Sequence, residues 1–311
     1  MRTAAPAIDV PVEVTAAPRI AFREFVKLRL ADYLLIIKPK ISVMVLLATA
    51  AGYVLAPDTP ETALLPLLLG VGLVATASSA FNQWYERETD GRMQRTANRP
   101  LPAGRLTSFE VLAFGTVCSL AGTVVLVTGV NRLTAVLTLL TLVCYAACYT
   151  PLKRVSSLAI VVGAIPGAMP PVLGWAAASG RVDPGAWALF GILFLWQFPH
   201  FLAIAWIYRE DYAGAGLKML PGAGRFPHLV GMLAVAYGLV LLPVSVLPMV
   251  QGTAGWLSFW PSIFLGCMYL VASARFALHE TYQTARGLLL TSLVYLPAIL
   301  GVMAWEHLRN G

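Results

Sequence analysis

The sequence contains few charged residues for its length. Only 12% of its 311 residues are Asp, Glu, Lys or Arg, whereas soluble domains usually carry about 25%. These charges are also clustered, so long stretches contain none. The scarcity excludes an ordinary soluble domain, and together with a hydrophobic content of 58% it indicates a polytopic membrane protein.

Cysteine is also scarce. The four cysteines are Cys118, Cys144, Cys148 and Cys267, and each lies inside an apolar segment. Such positions favour a role as small hydrophobic side chains in helices, so neither a disulfide framework nor a cysteine metal site is expected.

The first 25 residues lack the charged start, the apolar stretch and the cleavage site of a signal peptide. Asp9, Glu13 and the absence of serine also argue against a transit peptide. We therefore expect residues 1–25 to form a flexible cytoplasmic tail. An interfacial helix should follow over residues 23–40, and residues 26–311 should form one membrane domain.

Long apolar runs make up most of the remaining chain. A membrane helix needs about 20 mostly apolar residues, and nine runs approach this length. The sequence therefore predicts an all-α integral membrane protein with nine transmembrane helices. The predicted spans are 41–56, 62–81, 107–129, 133–149, 157–178, 185–207, 228–249, 255–275 and 286–305.

Lysine and arginine are unevenly distributed across these spans. If the N-terminus is cytoplasmic, 19 of the 22 Lys and Arg residues fall on the cytoplasmic side and 3 on the other. The positive-inside rule favours this orientation, with the C-terminus outside. The same bias explains the net charge of +7 without a nucleic-acid partner. The two longest interhelical loops, residues 82–106 and 208–227, then place the active site on the cytoplasmic side.

Three polar residues at the end of the second apolar run share one helix face. Asn82, Glu86 and Asp90 are spaced four apart, so their side chains project together over about two turns. Such oxygen ligands suit Mg²⁺, which is usually held by a few carboxylates and the phosphates of its substrate. The alternative is a helix edge solvated by lipid headgroups.

Arginines follow this triad directly. They are Arg92, Arg95, Arg99 and Arg105, in a segment that the prolines and glycine of "NRPLPAG" must turn. Guanidinium groups beside a metal triad would complete a diphosphate site, because their fork matches phosphate oxygens. The positive-inside bias explains the number of arginines, but it does not explain the acids among them.

A second polar constellation lies in "WQFPHFLAIAWIYREDYAGAGLKMLP", residues 196–221. His200 follows Pro199 inside a predicted span, and an ionisable group at membrane depth is a functional candidate. Glu210 and Asp211 follow at the cytoplasmic end of that span, at the depth of the triad. The alternatives are a histidine satisfied between helices and an ordinary pair of acids at the membrane edge.

Two further segments are expected to contribute to the same site. "YTPLKR" places Lys153 and Arg154 at another cytoplasmic helix end, where they would bind an anionic substrate group or serve only as topology signals. "GAIPGAMPPVLGW", residues 163–175, puts three prolines inside a span. Such helix breaks are tolerated where the backbone lines a cavity, so this segment is expected to form a pocket wall.

These motifs together carry a resemblance to a known family. The chain resembles the UbiA superfamily of intramembrane prenyltransferases over nearly its whole length after about residue 30. The triad N-x3-[DE]-x3-D marks the superfamily. The continuation "RMQRTANRPL" and the motif "WQFPHF" are similar to its protoheme IX farnesyltransferase (heme O synthase) branch. The resemblance implies a nine-helix bundle with a central cavity that is capped by cytoplasmic loops.

The resemblance also implies roles for the candidate residues. The implied metal ligands for Mg²⁺ on farnesyl diphosphate are Asn82, Glu86 and Asp90, with help from Glu210, and Asp211 lies at the second acidic motif. The implied diphosphate-binding residues are Arg95, Arg99, Lys153 and Arg154. The implied heme or carbocation pocket contains Tyr149, Trp196, His200 and Phe201. The sequence departs from the superfamily at Ala215, where a second Asp is frequent, which argues against a second fully ligated metal.

The implied reaction is transfer of the farnesyl group to the 2-vinyl group of heme b, with addition of water, to give heme O. His200 would either ligate the heme iron or place the water. The implied partners are the two substrates and the lipid bilayer of the inner membrane, and a heme A synthase is a further expectation.

Two other functions remain open from the sequence alone. One is a sister UbiA enzyme that prenylates an aromatic ring such as 4-hydroxybenzoate or attaches a prenyl tail to a chlorophyll, since it would share the metal triad. The other is a transporter, because broken helices and a buried histidine also suit a substrate pathway. The concentration of polar groups at one face, and the lack of an evident inverted repeat, argue against the transporter.

Overall fold

The computed structural model describes residues 22–57, 63–221 and 228–310. Within these ranges the regular secondary structure is helical and no strand is present, which confirms the predicted all-α class. The helices are α1 (Phe22–Ile37), α2 (Pro39–Val54), α3 (Leu64–Asp90), α4 (Ser108–Gly129), α5 (Arg132–Val143), a π-helical segment (Cys144–Tyr149), α6 (Thr150–Leu152), α7 (Ala159–Ser179), α8 (Pro184–Ile207), α9 (Arg209–Gly214), α10 (Leu229–Val244), α11 (Leu247–Val250), a 3₁₀ turn (Trp256–Ser258), α12 (Phe259–Leu278) and α13 (Tyr282–Asn310).

The count of spans agrees with the prediction except at the N-terminal pair of helices. Among the described residues, eight helical stretches are long and apolar enough to cross a membrane. A ninth results if α1 and α2, which meet at an angle of 48°, are counted as one bent span. The helix α2 alone has only 16 residues, which is short for the roughly 20 that the hydrocarbon requires.

The N-terminal helix α1 forms where the interfacial helix was expected. Most of its side chains are exposed, and only Asp32 and Ile36 are buried. The predicted tail, residues 1–25, lies outside the described residues except for its last four positions, which already belong to α1. The break between α1 and α2 falls at Lys38, whose backbone is left-handed with φ +52°.

The proline-rich segment does not break its helix, contrary to the expectation from the sequence. Pro166, Pro170 and Pro171 all lie within the continuous helix α7. The glycines of this segment permit close packing instead. A Cβ on Gly174 would lie 1.9 Å from the Thr49 carbonyl oxygen, so the backbones of α7 and α2 are in direct contact. Small residues permit such close approach between membrane helices.

The antiparallel path of the helices gathers most polar residues at one end of the bundle. We call this the charged end: it contains residues 91–107, 153–158 and 208–221, and the break between α1 and α2. The opposite end contains residues 130–131, 180–183 and 251–258. All the triad residues lie at the charged end because α3 finishes there, at Asp90.

A buried carboxylate accepts several hydrogen bonds at the opposite end of the bundle. Glu306 of α13 is 1% exposed and accepts hydrogen bonds from the backbone N–H groups of Leu257 at 2.7 Å and Ser258 at 2.8 Å, as well as from the Ser258 hydroxyl. It therefore accepts hydrogen bonds from N–H groups of the 3₁₀ turn before α12, and of these the Ser258 N–H also donates to the Gly255 carbonyl at 3.2 Å. Gly255 leaves the space that this carboxylate needs, since a Cβ there would lie 2.2 Å from Glu306 Oε1.

We predict that Glu306→Ala destabilises the bundle by about 1–3 kcal/mol, because the Leu257 N–H and the buried Ser258 hydroxyl lose this acceptor. The measurement is the midpoint of thermal unfolding of the purified protein in lipid nanodiscs. Glu88→Gln is the matched control, since the Glu88 side chain is 65% exposed and pairs only with Arg87. An equal midpoint for Glu306→Ala and the wild type would contradict this role.

Candidate active site

The predicted triad forms a buried cluster at the end of α3. Asn82, Glu86 and Asp90 are 2%, 6% and 1% exposed, although all three are polar and two are acidic. Burial of unpaired carboxylates is costly in an apolar bundle. Their burial therefore excludes the solvated helix edge that the sequence left open.

Each member of the triad contacts one cation from a different part of the chain. Lys38 Nζ lies 3.4 Å from Asn82 Oδ1. Lys153 Nζ lies 2.9 Å from Glu86 Oε1, as an ion pair that is not aligned as a hydrogen bond. Arg99 Nη1 donates to Asp90 Oδ2 at 2.6 Å. Three basic side chains therefore face two carboxylates and one amide.

The π-helical segment supports the first member of the triad. Asn82 Nδ2 donates to Thr150 Oγ1 at 3.2 Å, and Thr150 Oγ1 donates to the Tyr145 carbonyl at 2.9 Å. These bonds fix the amide so that its oxygen remains available to Lys38. π-Helical turns inside longer helices often occur at functional sites, and here the turn also carries Tyr149.

Tyr149 lies beside one of the cations. Lys153 Nζ lies 4.4 Å from the centre of the Tyr149 ring, and the ring packs where Gly163 leaves space, since a Cβ there would approach it to 2.5 Å. Burial alone would lower the pKa of Lys153, but the Tyr149 hydroxyl and the Glu86 carboxylate raise it above its ordinary value. Lys153 therefore remains a cation at neutral pH.

The arginines after the triad have three different partners. Arg99 binds Asp90. Arg95 donates to the Tyr212 hydroxyl at 3.2 Å and lies over the Tyr208 ring at 4.5 Å, which joins the loop to α9. Arg105 pairs with Asp32 at 2.7 Å, which joins the loop to α1. The loop after α3, residues 91–107, is therefore attached to α9 through Arg95 and to α1 through Arg105.

Arg154 points away from the triad cations. Its Nη2 donates to the Tyr85 carbonyl at 3.2 Å, and its guanidinium lies 4.9 Å from the centre of the Tyr85 ring. Arg154 thus contacts Tyr85 of α3, whereas the preceding residue, Lys153, pairs with Glu86 of the same helix. Its predicted role in diphosphate binding stays a prediction.

The second acidic pair does not join the triad. Glu210 is 89% exposed and pairs with Arg209 at 3.3 Å, and Asp211 is only partly buried in the short helix α9. Among the described residues, no group of three or more His, Cys, Asp or Glu side chains is close enough to hold a metal.

A cavity of about 420 Å³ opens beside α9. Arg209 and Tyr212 contribute to its wall, and the triad does not.

The donors of the triad nevertheless fit a hard divalent cation. Asn82 and the two carboxylates offer only oxygen ligands, and Asp90 Oδ1 is buried without a hydrogen-bond partner. A buried, unpaired carboxylate oxygen is a costly feature that a cation would relieve. Mg²⁺ needs few protein ligands when the phosphates of its substrate complete the coordination.

The other predicted pocket residues form a second group between α8 and α13. Trp196 and His200 stack with ring centres 4.9 Å apart, and His200 Nδ1 lies 2.7 Å from Ser292 Oγ. Phe201 contacts the His200 ring edge to face, with centres 5.4 Å apart. No hydrogen bond or ring contact between described residues joins this group to the triad, so Tyr149 is the only predicted pocket residue beside the triad cations.

Lys38 is the residue of this site that sequence reasoning missed. It was placed only at the end of the interfacial helix expected over residues 23–40, and no spacing rule connects it to a triad more than 40 residues later. Two features in the sequence were available as signals. Lys38 is an ionisable residue at the edge of an apolar run, and it directly precedes a proline, which disfavours continuation of a helix through it.

Comparison with known proteins identifies the family. Residues 45–296 match the UbiA prenyltransferase family. The protein named "Protoheme IX farnesyltransferase" from Solibacter usitatus (strain Ellin6076) is 45% identical over 289 residues, which cover 89% of this chain and 98% of that protein. The human protein "Protoheme IX farnesyltransferase, mitochondrial" is 38% identical, and the match covers 86% of this chain and 60% of the human protein.

Solved structures share the fold at low sequence identity. A structure described as a digeranylgeranylglyceryl phosphate synthase in membranes superposes with a TM-score of 0.75 at 15% identity, over 90% of this chain and 99% of that one. A UbiA homolog from Archaeoglobus fulgidus, described as bound to GPP and Mg²⁺, gives a TM-score of 0.65 at 15% identity, over 88% and 99%. The chain therefore belongs to the UbiA prenyltransferase family, within its protoheme IX farnesyltransferase group.

Proposed function

We propose that this protein transfers the farnesyl group of farnesyl diphosphate to the 2-vinyl group of heme b and that water then adds, which gives heme O. The single observation that supports this most strongly is the contact of each triad residue with its own cation. The choice of substrates rests on the names of the relatives. The buried triad and its basic partners provide the positive charge that stabilises a diphosphate leaving group.

The charge at the triad suits an anionic leaving group. Lys153 and Arg99 balance the carboxylates of Glu86 and Asp90, while burial and the neighbouring Arg99 and Lys153 lower the pKa of Lys38 to about 7. An arriving diphosphate would therefore favour the protonated form of Lys38. The three cations would turn toward the diphosphate oxygens as the carbon–oxygen bond to farnesyl C1 breaks and its electron pair leaves with the diphosphate. Cationic groups that are already positioned where negative charge develops on the diphosphate lower the activation barrier most effectively.

The triad would hold Mg²⁺ through the oxygens of Asn82, Glu86 and Asp90. When bound, such an ion acts as a Lewis acid on the diphosphate. One metal fits the donors better than two, because Glu210 is exposed and position 215 is alanine. The roles of Glu210 and Asp211 in metal binding stay predictions.

The reaction leaves an allylic cation at farnesyl C1. Tyr149, which lies beside Lys153, is the aromatic residue that we expect to face this carbon. The π electrons of the heme vinyl group form the new carbon–carbon bond, and water captures the resulting cation and then loses a proton. An apolar bundle suits these steps because it limits the access of bulk water to the first cation.

The distribution of positive charge also supports an orientation in the membrane. With the charged end at the cytoplasmic face of the inner membrane, the N-terminus is cytoplasmic, the C-terminus is outside and the active site is cytoplasmic. Farnesyl diphosphate would then bind with its polar end at that surface and its chain among the helices. An enzyme that oxidises the product further, such as a heme A synthase, is the expected partner.

Turnover tests the proposal directly. We predict that the purified protein in nanodiscs converts heme b and farnesyl diphosphate to heme O when Mg²⁺ is present, as measured by mass spectrometry. EDTA should abolish the product, and Asp90→Asn should lower kcat about 100-fold or more, because it removes a charge from the proposed metal ligands. The control is Glu88→Gln, which lies two residues before Asp90 but is exposed.

Three results would count against this proposal. Prenylation of an aromatic acid in place of heme would assign the chain to a sister UbiA activity. Absence of product with every acceptor would favour transport. Undiminished turnover in EDTA or in Asp90→Asn would remove the triad from the mechanism even if heme O is formed.

Lys38 has a separate prediction. Its left-handed backbone costs about 1–3 kcal/mol at a non-glycine residue, and this conformation brings its side chain to Asn82. We predict that Lys38→Met lowers kcat/KM for farnesyl diphosphate about 10- to 100-fold, because a charge-assisted contact is lost. Steady-state kinetics measure this. Lys40→Met, at an exposed position two residues later, should retain wild-type kinetics, and equal effects of the two substitutions would refute a specific role for Lys38.

A further inference from the structure

The histidines of this chain differ in where they lie in the bundle. All four are among the described residues. His228 and His279 flank helix ends at α10 and α12, and His307 lies in the last turn of α13. Only His200 lies in the interior of a span, seven residues before the end of α8, which corresponds to a depth of about 10 Å.

The hydrogen bonds around His200 determine which ring nitrogen carries the proton. Ser292 Oγ donates its single hydrogen to the Leu289 carbonyl at 2.5 Å. The same oxygen lies 2.7 Å from His200 Nδ1, and with its one hydrogen directed to the carbonyl it accepts from that nitrogen. His200 Nδ1 is therefore the protonated donor, and in the neutral ring Nε2 carries a lone pair. No protein group within the described residues bonds Nε2.

A second set of contacts fixes the orientation of the ring. Trp196 stacks on the imidazole with an interplanar angle of 24°, and its Nε1 donates to the Ser292 carbonyl at 2.8 Å. Tyr269 donates to the Trp196 carbonyl at 2.9 Å. The imidazole is thus held by contacts from both α8 and α13.

From this arrangement, and on the basis of the proposed function, we propose that His200 Nε2 is the axial ligand of the heme b iron while the vinyl group reacts. Neutral imidazole is a common axial ligand of heme, and a ligating histidine normally donates its other N–H to a protein acceptor. Ser292 provides that acceptor. Ligation would fix the porphyrin by its iron, so that one edge can meet the farnesyl carbon.

Heme spectroscopy tests the inference without turnover. Ferric heme b is titrated into the protein in nanodiscs without farnesyl diphosphate, and the Soret band and resonance Raman spectrum report iron coordination. We predict a histidine-ligated spectrum for the wild type and its loss in His200→Ala, with recovery when free imidazole is added. Ser292→Ala should weaken heme binding about 10-fold or more, because it removes the acceptor for Nδ1–H. His279→Ala and His228→Ala are the controls.

The outcomes separate this inference from the proposed function. A histidine-ligated spectrum that persists in His200→Ala, or that disappears in His228→Ala or His279→Ala, would overturn the inference even if the wild type makes heme O. A spectrum that depends on His200, in a protein that makes no heme O, would support the ligand and reject the proposed reaction. Failure of imidazole to restore ligation in a folded His200→Ala protein would also overturn the inference.

Discussion

The structure depends on the pairing of buried acids with cations at the end of α3. Glu86 and Asp90 are almost fully buried in a bundle with little other charge, and an unpaired carboxylate in such a place would cost several kcal/mol. Lys153 and Arg99 provide the compensation from two other segments. The fold must therefore bring the loop after α3 and the end of α6 to the same point.

This pairing also explains the division of the molecule into two polar regions. The triad and its cations lie at the charged end, where the proposed diphosphate would bind with its prenyl chain in the bundle. The group around His200 lies about 10 Å from the end of α8, between α8 and α13. A substrate with one polar end and one apolar chain, and a second substrate with a metal at its centre, would need two such regions.

Hydropathy and spacing predicted much of this arrangement. The spans followed from apolar runs, because the hydrocarbon thickness sets helix length, and the shared face of Asn82, Glu86 and Asp90 followed from the helical period. Contacts between distant segments could not be predicted in this way. Lys38 and Glu306 reach their partners only through tertiary packing, and the partners of Arg95 and Arg154 are tyrosine rings and a carbonyl, which carry no spacing signal. The prolines of α7 were misread as breaks because close packing against α2 preserves the helix.

The most direct test of the central claim is a measurement of metal affinity with and without a diphosphate. Mn²⁺, a hard ion with the ligand preferences of Mg²⁺, is titrated into the protein in nanodiscs, and free Mn²⁺ is read by electron paramagnetic resonance. We expect weak binding of the ion alone, because Lys153 and Arg99 already neutralise the triad carboxylates, and much tighter binding with an unreactive farnesyl thiodiphosphate. Equal affinity in both conditions would contradict the account.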